Sequence, residues 1–214
     1  MSTSQEIKYT CPYCGREFDI TIWHSVNGDK DPDLRERCIS GDLFRHSCPH
    51  CHKDFMIQNP LLYTDASHKF AIWLSSNDIC VDLKSIAGPL AAKGWHLRRC
   101  STLREFTEKI SIFEDGLDDI AVELAKYDSF IEFLDSRKGN ARDVTSVEYQ
   151  RTDEGVMKVN VRTDDQGMSF LIPVDTLLEE MKVDADLFRI DETTFPCING
   201  DWIISLYMES SGRA

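Results

Sequence analysis

Two short cysteine motifs decide the fold of this chain: Cys11-Pro12-Tyr13-Cys14 and Cys48-Pro49-His50-Cys51. Both follow the pattern Cys-Pro-x-Cys, and the 33 residues 15–47 separate them. A two-residue spacing lets a tight turn direct two sulfurs and several backbone N–H groups at one point, and two such turns complete a tetrahedron around zinc. Four thiolates leave no coordination position for water, so the expected role is structural rather than catalytic. The sequence therefore predicts one structural zinc ion, whose ligands are Cys11, Cys14, Cys48 and Cys51.

A redox role is the main alternative, because Cys-Pro-Tyr-Cys resembles the glutaredoxin active site and Cys-Pro-His-Cys resembles that of a periplasmic disulfide oxidant. Thioredoxin-like enzymes place such a pair after a buried strand and at a helix N-terminus, where the helix dipole lowers the pKa of the first thiol. Here apolar residues at 18, 20 and 22 predict a strand after Cys14, and residues 53–57 form a short strand-like run after Cys51. The pattern favours zinc, and a thiol-disulfide oxidoreductase using Cys11 and Cys14 is kept as the alternative.

The charge of the chain bears on its partners. The 214 residues carry 24 basic and 37 acidic side chains, a formal net charge of −13. This charge repels nucleic-acid phosphates and anionic lipid surfaces, so nucleic acid is an unlikely partner. The acidic excess lies mainly after residue 70, where a solubilising surface is favoured over a docking site for a basic partner. We expect an unidentified protein partner, with a basic surface as one option, and the oligomeric state stays open.

The chain shows no sequence signal for secretion or for a membrane. Residues 1–9 are polar, and no apolar stretch approaches the roughly 18 to 20 residues that a bilayer requires. We therefore expect a cytoplasmic protein without membrane association, in which cysteines stay reduced. Its histidines at 46, 50 and 52 are expected to lie beside the metal site or in solvent. Four further cysteines are predicted to be small buried hydrophobic residues: Cys38, Cys80, Cys100 and Cys197.

Residues 1–76 are predicted to form a zinc-ribbon-like β unit with a short inserted helix. Asp31 and Pro32 fit the first positions of this helix, and Gly41 would end it. Residues 43–44 are expected to return as a strand to the second cysteine pair. Further strands are expected at 61–65 and 69–74.

The rest of the chain divides into two predicted segments. Residues 77–138 comprise a mixed stretch, in which Gly88-Pro89 would break any long helix, a strand at 95–100, and an amphipathic helical hairpin that begins with a capping box at Thr102 and Glu105. Residues 139–214 contain three strands, at 144–151, 156–163 and 168–172, joined by hairpin turns and followed by a helix ending near residue 183. The run 202–208 fits a strand or a helix. The predicted class is α+β, with an antiparallel β-meander packed against helices.

Several blocks resemble the CpXC domain family in the order in which they occur along residues 9–126. They are the two Cys-Pro-x-Cys motifs, Trp23-His24-Ser25-Val26-Asn27, Gly41-Asp42-Leu43-Phe44, Leu62-Tyr63-Thr64-Asp65, and Glu108 to Asp119 continuing to Glu123 and Lys126. The resemblance implies the same metal-ligand role for the four cysteines. It also implies a largely bacterial distribution, but no activity. The block 108–119 is predicted to be either an interaction surface or a helix-capping and packing element.

Apart from the two Cys-Pro-x-Cys motifs, no known catalytic sequence pattern is recognised. The chain lacks G-x-S-x-G, H-E-x-x-H, Walker and G-x-G-x-x-G motifs. We therefore predict a zinc-stabilised interaction or regulatory module without its own catalysis. The alternatives are the oxidoreductase described above and an unrecognised enzyme in the C-terminal meander.

Overall fold

A computed structural model describes residues 1–75, 83–137, 140–152, 155–183 and 185–211 of the chain. Its helices are α1 (Pro32–Ser40), α2 (Leu83–Ala91), α3 (Leu103–Glu114), α4 (Asp119–Arg137), α5 (Val174–Val183) and α6 (Gly200–Ser211). Its strands are β1 (Thr3–Thr10), β2 (Glu17–Asn27), β3 (Arg45–Ser47), β4 (Asp54–Met56), β5 (Leu61–Asp65), β6 (Phe70–Leu74), β7 (His96–Cys100), β8 (Val144–Gln150), β9 (Val156–Thr163) and β10 (Gly167–Pro173). The predicted α+β class is confirmed.

The chain forms two compact units, and the division falls inside α3. The first unit contains Met1–Ile110 and Asp191–Pro196, and the second contains Ser111–Ile190 and Cys197–Ala214. The segment boundaries expected at residues 76 and 138 stay a prediction.

The first unit contains a five-stranded sheet in the order β1-β2-β5-β6-β7, together with the separate two-stranded hairpin of β3 and β4. Within the large sheet, β2 pairs with β5 and β6 pairs with β7 in parallel, and the other neighbours are antiparallel. Parallel neighbours cannot be joined by a tight turn. The chain between β2 and β5 therefore makes a long connection, and this connection carries α1 and the second cysteine pair.

Aromatic side chains form part of the core of the first unit. Tyr63, which is fully buried, stacks on Phe70 with ring centroids 5.7 Å apart. Phe106 of α3 meets the edges of Tyr63 and Phe44 at 6.4 and 6.0 Å. The start of α3 has the predicted capping box, since the N–H of Glu105 donates to the Thr102 hydroxyl at 3.2 Å and the N–H of Thr102 donates to the Glu105 carboxylate at 3.3 Å.

The second unit contains the predicted antiparallel meander, in the order β10-β9-β8. Alternate residues of β9, Met157, Val159 and Val161, are completely buried. They belong to one apolar cluster with residues of α4, α5 and α6. The period of two in β9 and the period of three to four in α4 thus place their apolar faces in the same core.

Two local elements differ from expectation, and two others specify what the sequence left open. Residues 3–10 form β1, which the polar N-terminus did not indicate, because this edge strand is held by backbone pairing with β2. Residues 42–44 form a short 3-10 turn rather than the expected strand, and the strand starts only at Arg45. Pro89 lies inside α2, but this helix has only 9 residues and ends at Ala91, in keeping with the expectation that Gly88-Pro89 breaks any long helix. The ambiguous run 202–208 is helical, as part of α6.

The other cysteines can now be placed, with Cys80 outside the described residues. Cys38 and Cys100 are buried, in agreement with the prediction, whereas Cys197 is only half-buried. Among the helices that the structure describes, none has the length and apolar composition needed to cross a membrane.

Candidate metal centre

The two cysteine turns have the same backbone hydrogen bonds. In the first, the N–H of Cys11 donates to the carbonyl of Arg16 at 2.9 Å, and the N–H of Gly15 donates to the carbonyl of Cys11 at 3.0 Å. In the second, the N–H of Cys48 donates to Lys53 at 3.0 Å and the N–H of His52 donates to Cys48 at 2.9 Å. Each turn closes an antiparallel hairpin, β1–β2 for the first and β3–β4 for the second. Two hairpin ends therefore present two equivalent pairs of thiols.

Backbone N–H groups also point at the sulfurs. The N–H of Tyr13 lies 3.4 Å from Cys11 Sγ, and the N–H of His50 lies 3.4 Å from Cys48 Sγ. Such N–H groups favour the thiolate over the thiol, because the charged form is the stronger hydrogen-bond acceptor. Both turns therefore favour the protonation state that a metal ion requires of a cysteine ligand.

The four sulfurs lie together in one cluster. All four ligand atoms of Cys11, Cys14, Cys48 and Cys51 lie within 4.8 Å of one another. Two sulfur–sulfur distances, from Cys11 to Cys51 and from Cys14 to Cys48, are 3.7 Å. A regular tetrahedron with zinc–sulfur bonds of about 2.3 Å has edges of about 3.8 Å. The structure thus brings together all four predicted ligands in a geometry compatible with a metal ion.

The electrostatics of the cluster also favour a cation. Burial raises the pKa of the Cys11 thiol, but hydrogen bonds from the backbone of Cys14 and Tyr13 and from neighbouring thiols outweigh it and lower the pKa to about 6. A backbone hydrogen bond from Lys53 lowers the pKa of Cys51, but burial and the neighbouring sulfurs outweigh it and raise the pKa to about 11. The first thiolate forms easily, whereas a later one meets the negative charge already present. A divalent cation removes this repulsion.

The histidines near the second pair are not members of the four-sulfur group. His46 is half-buried, and its ring stacks on Phe55 with centroids 6.1 Å apart. His50 is exposed, and its Nε2 lies 3.4 Å from the carbonyl oxygen of Glu17. His52 is exposed and has a left-handed backbone conformation, with φ of 57°.

An aromatic floor, formed by Tyr9, Phe18 and Phe55, supports the cysteine turns. Tyr9 and Phe18 are opposite each other on β1 and β2, and Phe55 is on β4. Phe55 stacks on Tyr9 with centroids 5.3 Å apart and meets the edge of Phe18 at 6.2 Å. These rings form an apolar cluster with Cys11 and Cys48. This floor was not predicted, although the sequence holds a signal for it: Phe18 and Phe55 stand at the same distance after Cys14 and Cys51.

The block 108–119 directs charged side chains inward. Lys109 and Asp119 are 3% and 1% exposed, so neither contributes to an exposed surface. In the second unit, Asp115 accepts a hydrogen bond from the Tyr149 hydroxyl at 2.7 Å and lies 3.0 Å from Arg151. For these side chains the packing interpretation of the block fits better than the surface interpretation.

Comparisons with known proteins agree with the cysteine geometry. No curated protein and no solved structure matches the chain. The model of the CpXC protein family matches residues 9–126, which is more than half of the chain and includes both cysteine turns. This match confirms the resemblance predicted from the sequence, and the chain belongs to the CpXC family.

Proposed function

We propose that Cys11, Cys14, Cys48 and Cys51 bind one structural zinc ion, and that the protein is a cytoplasmic interaction or regulatory module without its own catalysis. The observation that carries the metal assignment is the set of four sulfurs at the ends of two equivalent hairpins, which lie within 4.8 Å of one another and include two sulfur–sulfur distances of 3.7 Å. Structural sites of four cysteines are the usual zinc sites of such turns, since thiolates are soft ligands and zinc accepts tetrahedral geometry.

Four protein ligands support a structural role for the ion. With the coordination sphere filled, no position remains for water or substrate, which catalytic zinc sites require. A site of this kind contributes on the order of 10 to 16 kcal/mol in zinc-finger peptides, comparable with the net stability of a domain. The first cysteine of each pair is almost completely buried, Cys11 at 2% and Cys48 at 1% exposure, so the ion would lie against the aromatic floor.

The interaction role is supported by the acidity of the chain. A formal charge of −13 suits a soluble module that attracts a basic protein partner and repels nucleic acid. A cytoplasmic location fits reduced cysteines that hold metal.

The oxidoreductase alternative has one observation in its favour, the lowered pKa of Cys11. Against it, each pair lies at the end of a hairpin and neither opens a helix. In addition, the neighbouring thiols of the four-sulfur cluster help to lower the pKa of Cys11. A metal ion in this cluster would bind the Cys11 thiolate and so prevent it from reacting with a disulfide.

Zinc content and thiol protection test the metal assignment on the full-length protein. We expect one zinc per chain by elemental analysis of material purified without added metal. Cys14 is the diagnostic thiol, because its side chain is exposed and would react with an alkylating reagent unless a metal ion protected it. Mass spectrometry should find Cys14 unmodified before treatment with a chelator and modified afterwards.

Cys38 is the internal control for this experiment, because it is completely buried and lies outside the four-sulfur group. It should stay unmodified in the zinc-loaded protein under the same conditions. A stoichiometric zinc content with protected Cys14 excludes the redox role, whereas zinc-free purified protein that reduces a disulfide substrate would establish it and overturn the proposal.

A further inference from the structure

The second unit has a second candidate binding site, which we call the acidic hollow. It lies between α4, β10 and α5 and has a volume of about 280 Å³. Its rim carries three carboxylates, Asp128 and Glu132 from α4 and Glu180 from α5. None of the described residues that line it is basic. A concave surface with several like charges and no counter-charge favours a cationic ligand.

A buried hydroxyl group lines the same hollow. Ser129 is 2% exposed, and its Oγ has no hydrogen-bond partner among the described residues. A buried hydroxyl without a partner costs stability, and native structures seldom retain one without a reason. A ligand with N–H groups would provide the missing hydrogen bond, because a serine oxygen accepts as well as donates.

The walls of the hollow are apolar and the charges are too dispersed for a metal ion. Ala125 and Leu177 are buried in its wall, and Phe170 is half-buried beside them. Within the part of the chain that the structure describes, the four cysteines are the one group of three or more potential ligands close enough to share an ion. Apolar walls with dispersed carboxylates suit an ammonium group on a methylene stem, which is the chemistry of a lysine side chain.

A second hollow adjoins the acidic hollow, so the acidic surface is larger than one lysine side chain would cover. This second hollow of about 640 Å³ shares Asp128 and Glu132 and adds Asp135 and the partly exposed Ile131. No basic residue lines it among those described. Two adjoining hollows along one acidic face of α4 provide room for consecutive side chains of a segment, more than a single small amine would occupy.

We propose that the acidic hollow binds a lysine side chain from a basic segment of a partner protein, with Asp128, Glu180 and the Ser129 hydroxyl around the ammonium group. The inference rests on the interaction role proposed above and names the partner chemistry and the place where it binds. It does not depend on the metal. Burial of its carboxyl group and the negative charge of Glu180 raise the pKa of Asp128, although the residue as a whole is exposed. A bound ammonium group would relieve this repulsion.

Calorimetric titration of the full-length, zinc-loaded protein tests the site. The probe is a short synthetic peptide with several lysines, and the matched peptide carries N-acetyl-lysine at the same positions. We expect the lysine peptide to bind with an affinity that falls as salt is added. Acetylation retains the stem and removes the charge, so it should weaken binding at least about tenfold.

Variants separate the hollow from the general acidity of the chain. Asp128→Asn and Glu180→Gln should each weaken the lysine peptide about tenfold, because each removes a charged partner of the ammonium group. Glu179→Gln is the matched control, since this exposed residue lies next to Glu180 in α5 but does not line the hollow. It should change the affinity less than about twofold, which is the range of a screened surface charge. Ser129→Ala should weaken binding about threefold, as expected when one hydrogen bond of moderate strength is lost.

Besides a complete failure of the zinc-loaded protein to bind the lysine peptide, three results would overturn the proposal. They are equal binding of the acetylated peptide, an equal loss in Glu179→Gln and Glu180→Gln, and binding of spermidine that matches the lysine peptide in affinity and in its response to the variants. The last result would identify a site for small amines instead of a protein segment. Zinc content measured on the same sample separates this test from the test of the metal site. A protein that contains zinc but does not bind the lysine peptide contradicts only the proposal for the acidic hollow.

Discussion

The two cysteine turns share one backbone design but differ at the residue that follows the second cysteine. Gly15 in the first turn and His52 in the second both have positive φ, 71° and 57°. Glycine adopts this conformation without steric cost, whereas an L-residue with a side chain is strained there. Both turns have the same backbone hydrogen bonds, and each places its first sulfur beside a backbone N–H. These hydrogen bonds therefore determine the left-handed conformation of the residue after the second cysteine. Glycine only makes that conformation easier to adopt.

The largest expected effect comes from removing one ligand from either turn. Cys14→Ser and Cys51→Ser should both reduce the zinc content from one per chain to near zero, because zinc held by three thiolates loses a strong ligand and its closed geometry. Both should lower the melting temperature in thermal unfolding by a similar amount, since the turns contribute equally to one site.

Cys197→Ser is the control for this pair, as it changes a half-buried cysteine outside the cluster. It should retain full zinc content. If only one of the two variants, Cys14→Ser or Cys51→Ser, lost zinc, the two turns would not be equivalent.

The aromatic floor should give the next largest effect. Phe55→Ala is expected to reduce the free energy of unfolding by about 3 kcal/mol, because it leaves a cavity between Tyr9 and Phe18 beneath the turns. Denaturant unfolding of the zinc-loaded protein measures this change. Met56→Ala is the control, since Met56 is adjacent but 51% exposed, and should cost under about 1 kcal/mol. Equal losses in the two variants would show that the floor does not support the turns.

A smaller loss is expected at the glycine of the first turn. Gly15→Ala should cost about 1 kcal/mol, because alanine must take the left-handed conformation while no neighbouring atom obstructs its Cβ. Chemical denaturation with zinc retained gives the value. Gly200→Ala serves as control, since that glycine has no positive φ and also has open space. If Gly15→Ala proved neutral, the strain argument would be wrong.

The smallest expected effect has the opposite sign. His52→Gly should stabilise the zinc-loaded protein by about 0.5 kcal/mol, since it relieves the strain at φ 57° but adds freedom to the unfolded chain. The same denaturation measurement applies. His50→Gly, in the same turn but without positive φ, should destabilise instead, and stabilisation by both changes would remove the contrast between the turns.

The cysteine cluster was predictable because its information is local. The Cys-Pro-x-Cys spacing defines each turn, and two such pairs of thiols indicate a common metal ion. The capping box at Thr102 and Glu105 and the alternation of β9 were predictable for the same reason. The start of α6 also has a local signal: Asn199 caps the helix, and its side chain accepts from the N–H of Trp202 at 3.1 Å.

Other features depend on residues distant in sequence. Strand β1 has only Ile7 and Tyr9 as strongly apolar residues, so its pairing with β2 decides its conformation. The contact between Tyr9 and Phe55 requires two hairpins to meet, and no local pattern encodes that meeting. Pro89 inside α2 shows that tertiary context overrides helix propensity.

The long connection between the parallel strands β2 and β5 has a consequence for the order of folding. β2 finds its parallel partner β5 only after the intervening chain has been synthesised and its ends brought together, and closing such a loop is entropically unfavourable and slow. Cys14 precedes this connection and Cys48 lies within it, so capture of the ion would shorten the loop that remains to be closed. We therefore expect zinc supply during synthesis to govern how fast a new chain completes its sheet, as well as how stable the finished sheet is.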